Sequence, residues 1–380
     1  MLVSLNKKRA QSREAVISMV KYALNEIYST LPEDEQMKLL PTLIEVTQGR
    51  IFVEYEYSVG IRRLTEIHLK HGDIEAAAKL VQDIQIETFG SLDRAYKVEY
   101  ILFQMRVLIQ KGDYIRVLIV SNKVNRKHLS EEGLEKLKFE FNELMIKYYS
   151  HEEKFIEVSK AFKTLFDFTK EMKEKVANSK NEKLEEILKN TNLHFLFVNY
   201  VMFLAICPPV LEAKNMFHEL NLKYKKDLEE NRDMLLIVKK SLSDDIVFLD
   251  THFLSQFGQY PIFDKNIFPG YEKHAKLFRK FWIAHNLGIF GKYFSTVRLA
   301  RVCTMIGTNL DEVETELADM VINNYIYAKI NRIAQTVNFR KRQDTGDKLD
   351  DLNHDLTRML EKLETTCHLI HKENLKYDIK

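Results

Sequence analysis

The chain has 380 residues, of which 45% are hydrophobic and 29% are charged. This composition supplies enough apolar surface for a folded core and excludes a largely disordered protein. The 57 Lys and Arg residues almost balance the 55 Asp and Glu residues, so the formal net charge is only +2, and bulk charge excludes a polyanion-binding protein.

The chain contains only 12 Gly and 6 Pro, which predicts long helices rather than a strand-and-turn fold. Cys207, Cys303 and Cys367 lie far apart without a CxxC pair, and this spacing indicates free thiols in a reducing compartment. The segment 1–20 lacks the apolar core of a signal peptide. The most apolar run, 193–207, is shorter than the roughly 20 residues that span a bilayer, so it predicts a buried helix.

Three segments of the N-terminal half align at a constant offset and begin at Leu69, Ile109 and Tyr149. In each, an apolar helical stretch ends in a short polar turn before a new amphipathic stretch begins. Gly72 and Gly112 lie where a helix ends in a left-handed residue, and the Asp after each can cap the next helix.

This repeat predicts stacked helical hairpins, a TPR-like solenoid arm that occupies residues 1–256. The alternative is that three unrelated helix-turn-helix segments align by chance. Glycine, proline and aromatic residues interrupt the pattern at 257–270, and this segment is predicted to be a loop or a boundary between units.

Residues 271–340 have the pattern of a winged helix, in which short helices precede a two-stranded β-ribbon. The predicted helices and strands are Tyr271–Ala284 leading into His285–Phe294, Thr296–Ile306, Leu310–Asn324, and the strands Tyr325–Ile330 and Thr336–Phe339. A two-stranded ribbon is marginally stable alone and leaves unpaired backbone groups at its edge.

A final helix is predicted at 347–376, with apolar residues spaced alternately three and four apart, as in a heptad seam. The seam residues are Leu349, Leu352, Leu356, Met359, Leu363, Thr366 and Ile370, with Cys367 on or beside the seam. Such a helix is expected to project and to bind partner helices.

A winged helix raises the possibility of nucleic-acid binding. The helix that would enter a major groove, 310–324, carries five carboxylates and no Lys or Arg, so it would repel phosphates. Arg340, Lys341 and Arg342 lie beside the wing, and three such charges are typical of a solvated rim. The sequence therefore predicts no nucleic-acid partner.

Two histidine pairs, His68 with His71 and His368 with His371, have a spacing that could hold a metal ion. Neither pair has a suitably spaced third ligand, and the chain lacks HExxH, GxxxxGK[ST] and GxGxxG motifs. The interpretation is a protein that is not an enzyme and has no metal or cofactor; an undetected metallohydrolase is the last alternative.

Several short sequence motifs occur in an order and at separations that resemble the PCI family. Within that family they resemble the fifth non-ATPase type of lid subunit in the proteasome regulatory particle. The motifs in the arm are Ile86-Glu-Thr-Phe-Gly-Ser, Gln104-Met-Arg, Asp113-Tyr-Ile-Arg, Glu135-Lys-Leu-Lys and Leu144-Met-Ile. Those in the second half are His285-Asn-Leu, Lys292-Tyr-Phe, Tyr327-Ala-Lys-Ile with Arg332, Val337-Asn-Phe, and Thr366-Cys-His-Leu-Ile.

The resemblance implies an all-α fold, with a solenoid arm, a winged-helix module with a small β-ribbon, and a long C-terminal helix. It also implies a structural subunit without an active site, located in the cytoplasm and nucleus, in a hetero-oligomer with no membrane partner. The implied partners are other PCI subunits, the lid deubiquitinase and its inactive partner, and the proteasome base and core particle. The alternatives are the fourth subunit of the COP9 signalosome and a winged-helix nucleic-acid-binding protein.

Two partner-binding surfaces are expected from the ribbon edge and the resemblance together. A neighbouring strand would satisfy the unpaired groups of the wing edge, whereas the alternative is an edge that is simply solvated. The wing-edge residues are Tyr325, Ile326, Tyr327, Ala328, Lys329, Ile330, Val337, Asn338 and Phe339. The C-terminal helix contributes Leu349, Leu352, Leu356, Met359, Leu363, Cys367 and Ile370.

Overall fold

The computed structural model of the chain describes residues 12–125, 129, 133–178, 192–249, 256–264, 268, 270–340 and 345–376. It has two compact units: Met1–Cys207 with Tyr260–Tyr271, and Pro208–Gln259 with Glu272–Lys380. The sequence places the end of the arm near residue 256, whereas residues after Cys207 group with the winged helix. They do so because they pack on it, as when the ring of Phe217 lies 6.0 Å from that of Phe281.

The first unit consists of helices joined mostly by short turns. Its helices are α1 (Arg13–Tyr22, continued by a π turn at Ala23–Ile27 and by Tyr28–Thr30), α2 (Glu33–Thr47), α3 (Glu54–Lys70), α4 (Ile74–Gln82), α5 (Arg94–Lys111), α6 (Tyr114–Ser121), α7 (Glu135–His151), α8 (Phe155–Asn178) and α9 (Leu193–Leu204). Single 3₁₀ turns lie at Ile51–Val53, Ile86–Thr88 and Pro261–Phe263. The pairs α3–α4, α5–α6 and α7–α8 are the predicted hairpins, so the solenoid prediction is confirmed.

The hairpin turns follow the predicted chemistry in two of three cases. Gly72 and Gly112 have φ of +82° and +81°, which an L side chain rarely adopts. The N–H of the residue after each glycine donates to a carbonyl five residues earlier, at 2.9 Å and 3.0 Å. In the third hairpin the left-handed residue is Glu153, one position later than the offset predicts.

Capping by the two aspartates differs. The Asp113 carboxylate accepts from the Arg116 N–H at 3.3 Å, whereas the Asp73 side chain makes no capping hydrogen bond, contrary to the prediction. The α4 helix therefore relies on its packing, because Ala77, Ala78 and Val81 are almost fully buried.

The apolar run before Cys207 forms the buried helix that the sequence predicts. Phe203 of α9 is fully buried and its ring stacks on Phe162 of α8 at 5.5 Å between centroids. Burial of this kind contributes about 1.5–3 kcal/mol for a large apolar side chain. In the part of the chain that the structure describes, no helix combines the length and the hydropathy needed to cross a membrane.

The second unit contains the winged helix. Its elements are α10 (Leu211–Lys223), α11 (Lys225–Glu230), α12 (Arg232–Leu242), α13 (Tyr271–Tyr293), β1 (Thr296–Arg298), α14 (Leu299–Ile306), α15 (Leu310–Ile322), β2 (Lys329–Asn331), β3 (Thr336–Asn338) and α16 (Thr345–Lys376). The two segments predicted on either side of residue 284 form the single helix α13, since no proline or capping residue interrupts them.

The sheet has three antiparallel strands in the order β1–β3–β2, and Val337 is opposite both Val297 and Ile330. The prediction of a two-stranded ribbon was therefore wrong, and so was the prediction that Thr296 begins a helix. The strand that was not predicted, β1, pairs with β3 through three residues, and the chain then passes directly into α14. The order of helices and strands from α13 to β3 is that of a winged helix, so the predicted fold class is confirmed.

Candidate interaction surfaces

The wing presents two strand edges, and they are not the ones that a two-stranded ribbon would have. Because β3 lies in the middle, Val337 and Asn338 are in a strand that pairs on both sides. Phe339 follows that strand, is buried, and its N–H donates to the Ser295 carbonyl at 2.9 Å. These three residues therefore do not lie at an edge, contrary to the prediction.

The edges belong to β1 and β2. Of the predicted wing-edge residues, Lys329 and Ile330 lie in edge strand β2, and 325–328 form the segment that leads into it. The opposite edge, 296–298, was missed by the sequence reasoning. Val297 between two polar residues shows the alternation of a strand, but three residues are too few to distinguish it from the start of α14.

The C-terminal helix α16 has 32 residues and is about 48 Å long at 1.5 Å per residue. Every side chain from Leu352 to Leu375 is exposed. The exposed fractions along the seam are Leu349 65%, Leu352 56%, Leu356 51%, Met359 61%, Leu363 51% and Ile370 55%, and Cys367 is exposed as well. An apolar stripe of this length is typical of a helix whose partner is another molecule.

Four carboxylates of the acidic helix α15 lie close to cations of their own unit. Glu312 accepts from Arg279 at 2.9 Å, and Lys280 lies 3.6 Å from Glu316 and 3.4 Å from Asp319. Arg332 of the wing pairs with Glu314 at 3.3 Å. Burial raises the pKa of Glu316, and the Lys280 charge lowers it. The carboxylates of the helix that would read a DNA groove thus form ion pairs within the winged helix.

A cavity of about 420 Å³ lies within the second unit, beside the segment that leads into β2. Its walls come from α10, α12 and α13, with Tyr325, Tyr327 and Phe339 on the wing side. We call it the wing cavity. Gly288 and Gly291 of α13 are part of its wall, although a glycine inside a helix costs about 0.5–1 kcal/mol relative to alanine.

His285 is a partly buried titratable group of the wing cavity. Burial, together with the positive charge of Lys214, lowers the pKa of His285 from 6.5 to about 4, so the ring is neutral at pH 7. The ring hydrogen-bonds the Lys240 backbone, an interaction that favours the protonated form. The ring therefore donates in that bond, and Nε2 has no hydrogen-bond partner among the described residues.

Two family models match this chain. The model described as "PSMD12/CSN4, N-terminal" matches residues 1–175, and the model for the PCI domain matches residues 253–341. The 26S proteasome non-ATPase regulatory subunit 12 of Dictyostelium discoideum is 28% identical over 378 residues, covering all of this chain and 80% of that protein. Residues 253–341 thus match the PCI domain, and the homologues that match the whole chain are regulatory subunits of the 26S proteasome.

Further relatives agree along the full length. The 26S proteasome regulatory subunit rpn501 of Schizosaccharomyces pombe is 28% identical, covering all of this chain and 82% of the relative. The 26S proteasome regulatory subunit RPN5 of Saccharomyces cerevisiae is 27% identical with the same coverage. The N-terminal model is shared with a COP9 signalosome subunit, whereas these full-length relatives are proteasome subunits, so the signalosome alternative has less support.

The PCI match contains the whole three-stranded sheet and ends before α16. The N-terminal match contains the hairpins from α3 to α7 and most of α8. The seam on α16 therefore lies outside both matched segments, and its role as a partner-binding surface remains a prediction.

The histidine pairs do not form metal sites in the described residues. No group of three or more His, Cys, Asp or Glu side chains there is arranged to hold a metal ion. His71 lies 4.0 Å from Glu33, while His368 and His371 are exposed on α16.

Proposed function

We propose that this chain is a non-catalytic structural subunit of the lid of the proteasome regulatory particle. In this role it scaffolds lid assembly and positions the lid deubiquitinase for ubiquitin-dependent protein degradation. The observation that carries the proposal is the exposed seam of α16 in a chain similar over its full length to proteasome regulatory subunits.

The seam gives the proposal its mechanism. Burying an exposed leucine contributes on the order of 1.5–3 kcal/mol, so a few seam leucines supply enough free energy to hold a subunit in a complex. Helix bundling through such a seam joins the chain to the deubiquitinase and its inactive partner. The edges at β1 and β2 offer unpaired backbone groups to other PCI subunits, and the arm faces the base and the core particle.

The location that goes with this role is the cytoplasm and nucleus, within a hetero-oligomer. Free thiols at Cys207, Cys303 and Cys367 are compatible with a reducing compartment. Co-purification distinguishes the two PCI assemblies directly, because the tagged chain is expected with proteasome subunits and not with signalosome subunits.

A matched pair of triple variants tests the seam. The seam variant changes Leu352, Leu356 and Leu363 to Ser, and the control changes His354, Glu361 and Thr365, on the opposite face of α16, to Ser. Because all six side chains are exposed, both variants should fold with unchanged free energies of unfolding. The seam variant should lose incorporation into the regulatory particle by more than about tenfold, since three buried leucines contribute well over 1.4 kcal/mol.

Incorporation is measured by quantitative mass spectrometry of affinity-purified regulatory particles, and unfolding by chemical denaturation of the isolated chain. Equal incorporation of both variants would rule out the seam as an assembly surface. Absence of the unmodified chain from the regulatory particle would rule out the proposed function itself.

A further inference from the structure

The second hairpin of the arm carries exposed apolar side chains on α6 (Tyr114–Ser121). Ile115 is 79% exposed, Leu118 37% and Ile119 55%. These positions are three and four residues apart, so their side chains lie side by side on the helix. We call these three residues the α6 face. They form a continuous apolar strip on the surface of the first unit.

The repeat supplies an internal comparison for the two isoleucines. The hairpins align on the first residues of their second helices, which are Ile74, Tyr114 and Phe155. On this alignment Ile115 and Ile119 of α6 correspond to Glu75 and Lys79 of α4, which are charged and exposed. Isoleucine forms helices less readily than Glu or Lys, so the fold of a hairpin does not itself favour isoleucine at these positions.

Leu118 is exposed at a position that the other two hairpins bury. The corresponding residues are Ala78 of α4 and Ser159 of α8, and both are fully buried. Ala78 lies in an apolar cluster with Phe103 of α5, and the Ser159 hydroxyl donates to the Tyr200 carbonyl of α9 at 3.1 Å. In both hairpins a following helix therefore covers this position. By comparison with its neighbours, the α6 face lacks a covering helix.

Charge does not specify what covers the α6 face. Arg116 of the same helix pairs with Asp113 at 3.2 Å. Lys123, just after the helix, pairs with Glu87 at 2.7 Å. Asn122, at the end of the face, is exposed and uncharged. Because the cations beside the face already have partners, the face favours an occupant that contributes apolar side chains rather than charge.

The size of the α6 face limits the occupant to a short element. The helix has 8 residues and is about 12 Å long at 1.5 Å per residue. A stable dimer buries about 800 Å² on each partner, which is far more than three partly exposed side chains provide. A second copy of the chain therefore fits this face poorly, whereas an amphipathic helix of about two or three turns matches its length.

We propose that the α6 face binds a short amphipathic helix of another subunit, whose apolar residues recur at spacings of three and four. This helix covers Leu118 in the way that α5 covers Ala78 and α9 covers Ser159. The inference rests on the proposed function, because it gives the assembled subunit a contact on its arm that is separate from the seam of α16.

The first hairpin supplies the test variant. Ile115→Glu combined with Ile119→Lys gives α6 the residues that α4 has at the equivalent positions. Both positions are exposed and the new charges are four residues apart, so the melting temperature should stay unchanged or rise. The matched control is Glu75→Lys with Lys79→Glu, which exchanges two exposed charges on α4. If the test variant melts lower, Ile115→Ser, at the most exposed of the three positions, takes its place.

Photo-crosslinking in the assembled particle is the readout. p-Benzoylphenylalanine replaces Asn122 in the full chain, and crosslinked peptides from purified regulatory particles are sequenced by mass spectrometry. One segment of another subunit is expected, with apolar residues three and four apart. The crosslink yield per incorporated chain should fall by about fivefold or more in the test variant, because the apolar contact is lost, and stay unchanged in the control.

An assembled particle without a crosslink from position 122 would overturn the inference, and so would equal yields in the test variant and the control. A crosslink to the same chain or to a second copy of it would overturn it as well, as would a partner segment without helical spacing. In each of these results the chain is present in the regulatory particle. Absence of the unmodified chain from the particle would instead refute the proposed function and the inference together.

Discussion

Asn286 illustrates how one buried polar side chain can hold a loop segment against a helix. Its side-chain oxygen accepts from the Val247 N–H at 2.8 Å, and its amide donates to the Val247 carbonyl at 2.8 Å. Asn286 is fully buried, so no water replaces these two hydrogen bonds when the side chain is removed. Asn286 therefore fastens the segment after α12 to the middle of α13, while Lys292 and Tyr293 hold Asp244 of the same segment at the end of that helix.

Asn286→Ala should lower the free energy of unfolding by about 3 kcal/mol, because a buried backbone N–H and a buried carbonyl both lose their partner. Chemical denaturation of the full chain measures the change. Asn215→Ala, at an exposed position of α10, is the control and should change stability by less than about 0.5 kcal/mol. A loss below about 1 kcal/mol for Asn286→Ala would show that the segment is held by other contacts.

At the scale of helices and strands, ion pairs connect α13 to α15. Lys280 of α13 lies within ion-pair distance of Glu316 and Asp319 of α15. Burial raises the pKa of Glu316 above its ordinary value of 4.5. When the folded state raises the pKa of a carboxyl group, the protein loses stability as the pH rises from the pKa of the unfolded chain to the raised pKa of the folded chain. The loss arises because the carboxyl group ionises more readily in the unfolded chain. Lys280 limits that loss.

Lys280→Gln should therefore destabilise the protein more at pH 7 than at pH 4, where Glu316 is mostly protonated and the lysine has lost one of its two charged partners. Lys276→Gln on the same helix, an exposed lysine, is the matched control and should show no such difference. Melting temperatures at both pH values provide the measurement. An equal effect of Lys280→Gln at pH 4 and pH 7 would contradict the role of the ion pairs.

At the same scale, the sequence predicts the elements that carry strong local signals and misses those that depend on pairing. Gly72 and Gly112 identify the hairpin turns because only a left-handed residue ends those helices as observed. The third turn carries no glycine, and its position shifts by one residue. Strand β1 was missed because its three residues gain strand geometry only from β3, which lies about forty residues further along the chain.

For the whole molecule, net charge and charge placement together argue against nucleic acid as a partner. The formal net charge is +2, and four carboxylates of α15 already pair with cations of the same unit. Lys341 and Arg342, part of the basic cluster beside the wing, lie outside the described residues. The chain should show no salt-dependent binding to labelled duplex DNA or RNA at about 150 mM salt. Fluorescence anisotropy measures this, and a saturable, sequence-independent signal would revive the alternative.

The candidate surfaces were predictable in part. The seam of α16 follows from residue spacing alone, since a heptad pattern fixes which side chains share a face. The wing edge was not predictable, because exposure of a strand edge depends on the number of strands. The wing cavity was missed altogether: Ser241, His285 and Gly288 are distant or unremarkable in sequence, and only the packing of α10, α12 and α13 brings them together.

The length of α16 has a consequence for how this helix can change in evolution. Each residue turns an α-helix by about 100°, so a deletion of one residue near Leu356 would rotate the following half of the seam away from the first half. A deletion of seven residues would shorten the helix by about 10 Å and return the stripe almost to its original face. Natural insertions and deletions in this segment should therefore come in steps of seven residues. The angular position of the seam residues around the helix matters more for partner binding than the length of the helix.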